Sequence, residues 1–536
     1  MMGLTRTRRE AIRLGLAGVA GTLLAACSVA APAAGPTGAP PTTAPASAPS
    51  NAQPKSGGTL RVGLLGEPTN FDPHFISPGA LLPTHLPYDH LTAYDDQRKP
   101  QPRLAESWDI DTDFKQFKLT LRTGVQFHSG RELTSGDVKY NLLRVRDPKV
   151  GVSQLRTLSS WFQTVDTPDR YTVVLTADQP RPAAFDLFEY LNIVDQETME
   201  GSAEDRKKLV GTGPFVFSDY QPGDHLSFTR NASYWQSGKP FVDSIRVQIF
   251  TDQQAMVVQL EAAALDIASN PQLRDAARLK QDSQYTLAIH PTSGQYYLLD
   301  TNTSTPPTDN QKFRQALNYA IDRQRIAQSV LLGLFEARAL PWPSNSPAFD
   351  AAKNQFPFDL DKARSLLAAS GAPSAAFDLI YQSTSAEQAG VAQIVQSDLS
   401  SIGLNVNLKP VEPAVYVDMT GGAADQALKY TYGVGQSQYA NLEPTSLFQV
   451  SYYWNPQRNA EAFTASEYGQ LVQQAANEIN ADTRKTLYGQ LNDYLLDQSF
   501  VTIFASAPPM VAARANVQGL HFSAHETLVG EDIWLA

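Results

Sequence analysis

One thiol, eight imidazoles and a surplus of carboxylates are the groups in this 536-residue chain with chemistry to offer. Cys27 is the only cysteine, so no intrachain disulfide and no cysteine-built zinc site can form. It follows Leu24-Ala25-Ala26, and small residues ahead of a cleavage point let a segment enter a peptidase cleft. The histidines are His74, His85, His90, His128, His225, His290, His521 and His525. Only His521 and His525, four apart, have helical ligand spacing, so no metal site is expected. Neither a His-Glu-x-x-His pattern nor a P-loop with its lysine occurs. Gly435-Gln436-Ser437-Gln438-Tyr439 begins like a nucleophile elbow but lacks the closing glycine. The 54 acidic residues single out no pair at a defined spacing. The chain therefore reads as a binder without catalytic residues or cofactor, not as an enzyme.

Composition bounds the elements that must position these groups. Hydrophobic residues at 42% and aromatics at 10% suffice for a sizeable core and exclude global disorder. No apolar run reaches the roughly 18–20 residues of a spanning helix. A net charge of −11 argues against nucleic acid as a partner. Arg6, Arg8, Arg9 and Arg13 precede an uncharged stretch from Leu14 to Ala26, the pattern of an export signal. Leu24 to Cys27 resembles the bacterial lipobox, which implies a lipidated Cys27 as mature N-terminus. Thr7-Arg8-Arg9-Glu10-Ala11-Ile12-Arg13 resembles a twin-arginine export signal, with alanine where an aromatic is usual. Release of residues 1–26 removes four arginines and one glutamate and moves the net charge from −11 to −14. An acidic body is not drawn to an anionic membrane by charge, so lipid has to hold it there. Residues 27–56, proline-rich and uncharged until Lys55, read as a semi-extended tether.

Residues 57–536 carry mixed signals of an α/β body. Thr59 to Leu64 alternates after Gly57-Gly58; Phe117, Leu119 and Leu121, and Ile245, Val247 and Ile249, alternate likewise and predict strands. Phe313, Ala316, Leu317, Ala320 and Ile321 follow helical spacing, with Asp309 as the expected cap and a stop before Gly333. Further helices are expected from near Asp361 to Gly371, and behind Asp482 over Leu487, Leu491, Tyr494 and Leu495. Asp137 is expected to cap a helix, Gly211-Thr212-Gly213-Pro214 to form a tight turn, and Trp108 and Trp235 to anchor the core.

Six stretches in order resemble the extracellular solute-binding proteins of ATP-driven importers, peptide/nickel-binding family 5. They include Gly57-Gly58-Thr59-Leu60-Arg61-Val62, Gly124-Val125-Gln126-Phe127-His128-Ser129-Gly130, Leu133-Thr134-Ser135-Gly136-Asp137-Val138, Gly211-Thr212-Gly213-Pro214-Phe215 and Phe313 to Arg323. The resemblance implies a two-lobed periplasmic-binding-protein-like fold (type II, cluster C) with an extra domain and an interlobe ligand cleft. It implies a first domain at about 57–100, 203–294 and 505–536, a second at about 101–202 and a third at about 295–504. In peptide-binding members an aspartate of the third domain pairs with the ligand's α-amine. Here Gln436 or Gln438 takes its place and Asn441 replaces a further acidic position. Amides both donate and accept, so the cleft is expected to prefer a ligand without a free α-amine there. Glu443 is an alternative source of the carboxylate. Tyr439 and Trp454 are the aromatics expected in the cleft. The family further implies a monomer that hands a peptide or other small polar solute to a permease and its ATPase, outside the cytoplasm and on a lipid anchor. A surface hydrolase acting on carbohydrate or cell-wall material, and a sensor for a membrane kinase, stand as alternatives.

Overall fold

A computed structural model describes residues 53–536, apart from 69, 76–82, 84, 151–152, 203–205, 422–429, 431, 438 and 440. Arg8, Arg9, Cys27, most of the tether and Gln438 lie outside the described residues.

Three larger sheets organise the chain. The first has seven strands, ordered Tyr285–Ile289, Met510–Arg514, Ile267–Ser269, Thr59–Leu65, Ser244–Phe250, His225–Arg230 and Phe215–Gln221. Thr59–Leu65 runs parallel to Ser244–Phe250, and Leu60, Val62, Ile245 and Val247 share its buried face. The second is antiparallel and has four strands, Ala105–Ile110, Gln116–Leu121, Thr172–Ala177 and Phe162–Asp169. The third has five, ordered Asn405–Val411, Ala376–Gln382, Tyr432–Ser437, Tyr296–Thr301 and Val501–Ser506. This mixed α/β architecture is the expected fold class.

Helices pack where their apolar stripe demands. Gln311–Ala320 buries Phe313, Ala316, Leu317 and Ala320 against the five-stranded sheet, each large side chain stabilising by roughly 1.5–3 kcal/mol. Its cap is Asn310, not Asp309: the Asn310 Oδ1 accepts from the Lys312 and Phe313 amides. The helix also stops at Ile321, where the extended backbone breaks the ladder well before Gly333. Asp359 caps Leu360–Ala369 and Asn480 caps Ala481–Gln498, each two residues ahead of the expected acid. Asp137 sits inside the first turn of Ser135–Arg144, and its carboxylate accepts from the Thr134 amide at 2.9 Å, half of a reciprocal capping box.

Gly211 and Gly213 are required by close approach. A Cβ on Gly211 would stand 2.2 Å from the Pro87 carbonyl oxygen, and one on Gly213 2.5 Å from the Pro87 carbonyl carbon. The turn thus lies flat on residues 86–88, with the Gly213 amide donating to the Pro87 carbonyl at 2.9 Å.

The chain crosses between the seven- and five-stranded sheets twice, from Tyr285–Ile289 to Tyr296–Thr301 and from Val501–Ser506 to Met510–Arg514. The two crossings are bonded to each other: the His290 amide donates to the Pro509 carbonyl at 3.0 Å and the Ala507 amide to the Gln295 carbonyl at 2.9 Å. One hydrophobic cluster spans residues 91–193 and also takes in Tyr296, Leu442, Phe448 and Trp454. Trp161 seals that contact, its indole N–H donating to Gln449 Oε1 at 2.8 Å.

Candidate functional site

The loop singled out by its missing aspartate begins on Tyr432–Ser437, which pairs antiparallel with Tyr296–Thr301. Strand alternation puts Gln436, half-buried, on the face of Tyr432 and Val434. Gly433, Gly435 and Ser437 share the opposite face. There Asp300 crowds the glycines, and a Cβ on Gly435 would lie 2.7 Å from Asp300 Oδ2.

Past the strand the loop meets residues far away in the chain, Arg98 and Asp186 among them. The Tyr439 hydroxyl accepts from the Tyr452 amide at 2.6 Å. Asn441 is buried; its Nδ2 donates to Asn345 Oδ1 at 2.8 Å, and its carbonyl accepts from the Arg98 guanidinium. Asn345 Nδ2 in turn donates to the Asp96 carbonyl at 3.1 Å. Arg98 also pairs with Asp186 at 3.0 Å and lies 4.6 Å over the Tyr94 ring. Asp186 accepts from the Glu443 amide at 2.8 Å and from the Tyr94 hydroxyl at 3.1 Å. Burial pushes the Asp186 carboxyl up, and the Arg98 charge pulls against that shift.

Glu443 does not supply a vacant carboxylate. It caps Pro444–Val450 by accepting from the Thr445 amide at 2.8 Å, and it also accepts from the Thr445 and Tyr488 hydroxyls. Trp454 lies in the core and not on a cleft wall: it is 2% exposed, and its indole N–H donates to the Tyr296 hydroxyl at 2.6 Å. A run of aromatics in sequence does not say which ring a distant strand will cover. Trp235, expected as a core anchor, is half-buried and donates to Asp89 at 2.9 Å; Asp89 also holds Arg103 at 2.7 Å.

Sequence spacing pairs His521 with His525, but the fold separates them. His521 is exposed and lies 3.4 Å from Asp532, because residues 521–525 are not helical. His525 turns instead to His85 and His90, and one nitrogen from each of the three rings lies within 4.8 Å of the other two. Ring centroids are 5.4 Å apart for His85 and His90, 5.3 Å for His90 and His525, and 6.0 Å for His85 and His525. Burial lowers the His85 pKa to about 4. Burial, then the neighbouring rings, hold His90 and His525 well below the usual imidazole value. The Tyr190 ring packs 4.2 Å from His525, and the Tyr190 hydroxyl donates to Gln154 Oε1 at 3.3 Å. A cavity of about 340 Å³ is lined by His85, His90, Tyr94, Arg103, Glu189 and Phe522, among others. No local spacing announces His85 and His90 as partners of His525; only the return of the C-terminal segment to the first lobe joins them.

A second buried group lies behind Gly435. Asp300 accepts from the Tyr416 hydroxyl at 2.9 Å, and burial raises its carboxyl to about 7. Glu461, fully buried, is pushed up by burial and then by Asp300. Its carboxylate oxygens have no hydrogen-bond partner.

Residues 99–453 match the family described as bacterial extracellular solute-binding proteins, family 5 Middle. Di/tripeptide-binding protein 2 of Pseudomonas aeruginosa is 28% identical over 413 residues, 71% of this chain and 76% of the relative. Among solved structures, the binding protein AgaA of A. tumefaciens in complex with agropinic acid superposes with a TM-score of 0.76 at 26% identity, covering 89% of this chain and 99% of that one. The substrate-binding protein CtaP of Listeria monocytogenes superposes at 0.79 with 22% identity, covering 90% of this chain and all of that one. Matched over most of its length in sequence and in fold, the chain belongs to the family 5 bacterial extracellular solute-binding proteins.

Proposed function

We propose that this chain is the solute-capturing subunit of an ATP-driven importer, exported by the segment around Arg8 and Arg9 and held at the membrane by lipid on Cys27. It works by reversible closure of two lobes over a small polar solute, which a partner permease and ATPase then carry inward. The first domain takes residues 57–100, 203–294 and 505–536, the second 101–202 and the third 295–504. Gln436, Gln438, Tyr439 and Asn441 present amides and a phenol to the solute.

One observation carries the ligand reading. Near the loop, Asp186 and Glu443 are already committed, to Arg98 and to a helix N-terminus respectively. A buried ammonium needs a carboxylate partner, and neither of these two is free to serve as one. Relatives carry names for di- and tripeptides, for glutathione and for heme, so the shared fold accommodates varied ligands. Calorimetric titration with a dipeptide and its N-acetylated form tests the reading. Equal affinity, or preference for the blocked form, is expected; tight binding lost on acetylation would defeat it.

A further inference from the structure

We infer that His85, His90 and His525 form a binding site for one borderline divalent transition-metal ion, of the nickel, copper or zinc class. The donor set selects that class. Three imidazoles with no carboxylate among them suit such ions and not calcium or magnesium, which require oxygen.

The geometry is close to complete. Nitrogens on a tetrahedral ion, each roughly 2.1 Å from it, lie about 3.4 Å apart, so ring rotations moving the nitrogens on the order of 1 Å close the site. His90 has a nitrogen to offer: among the described residues its buried Nδ1 has no hydrogen-bond partner. The cationic neighbours are neutralised in place: Arg98 by Asp186 at 3.0 Å, and Arg103 by Asp89 at 2.7 Å and Glu531 at 3.0 Å. The adjoining cavity of about 340 Å³ gives the ion room for further ligands, water or the donor atoms of a small chelator.

This inference goes beyond solute capture and holds whichever organic solute the loop prefers. The test uses the mature, tag-free chain stripped with chelator and titrated calorimetrically with Ni²⁺, Cu²⁺ and Zn²⁺ separately. One ion per chain is expected, bound at least 100-fold more weakly by His90→Gln and by His525→Gln. Co²⁺ substitution gives a second readout: visible d–d bands on the wild type, absent from both variants. Melting curves and solute titration on the same samples show whether each variant is folded. If either variant unfolds, His85→Gln decides, loss of the ion and of the cobalt bands supporting the site. His521 lines the adjoining cavity outside the three-ring cluster, so His521→Gln is expected to weaken binding less than any of the three. Binding equal in wild type and folded His525→Gln, or binding that follows His521, overturns it. Solute binding retained alongside absent metal binding would sink this site and leave the capture reading standing.

Discussion

Asp186 and Asp300 are both buried carboxylates, and the chain gives one a cation and the other only a phenol. Asp186 faces Arg98, the Glu443 amide and the Tyr94 hydroxyl across the meeting of two lobes. Asp300 has the Tyr416 hydroxyl, while its Oδ1 is without a partner and Glu461 is a like-charged neighbour. The first arrangement sets a cation against the upward push of burial. The second favours the protonated acid, since two buried carboxylates without a counterion cannot both ionise cheaply. Buried acids in one protein thus sit in opposite settings, one against a cation and the other against a phenol and a second acid.

Removing the cation is the strongest way to break the contrast. Arg98→Ala leaves Asp186 buried and unpaired, and urea denaturation should show a loss of about 3–5 kcal/mol. A loss below about 1 kcal/mol would mean that water reaches Asp186 and the two acids are alike. Asp300→Asn is next. A folded-state pKa raised from its ordinary value to about 7 means that the native state keeps a proton the unfolded chain has released. Its stabilisation is full below about pH 4 and lost as the pH rises to about 7. At pH 8 the variant should therefore be more stable than wild type by on the order of 2 kcal/mol, with little gain at pH 4. The remaining slope belongs to the other acids that burial raises, Asp186, Asp398, Glu189, Glu461 and Glu526. Equal change at both pH values would remove Asp300 from the account. Glu443→Gln has the smallest effect, about 1 kcal/mol in thermal melts, because the amide oxygen still caps the helix. A loss as large as that of Arg98→Ala would place Glu443 inside the charged network.

What sequence could show depended on the range of the interaction. Phe117, Leu119 and Leu121 announced their strand because one face of it is wholly buried. Asn310 and Asn480 were misplaced by a residue or two because either of two neighbouring polar side chains can cap, and backbone geometry decides. Tyr439 and Asn441 were expected in the cleft; the fold gives the Tyr439 hydroxyl the Tyr452 amide and the Asn441 carbonyl the Arg98 guanidinium, partners that local sequence does not name. Trp454 was expected in the cleft but lies in the core, because its cover comes from Tyr296 and Phe500, distant in the chain. His85, His90 and His525 stayed invisible for the same reason: their proximity is made by tertiary return, which local spacing does not encode.

The two crossing segments bear on how the molecule bends. Because His290 is hydrogen-bonded to Pro509 and Ala507 to Gln295, the pair acts as a flat strap instead of two loose threads. A strap resists shear and twist within its plane and yields to bending across it. Such a connection favours hinge bending over sliding of the sheets that it joins. The angle between the two sheets is then the coordinate that closure of such a hinge would change.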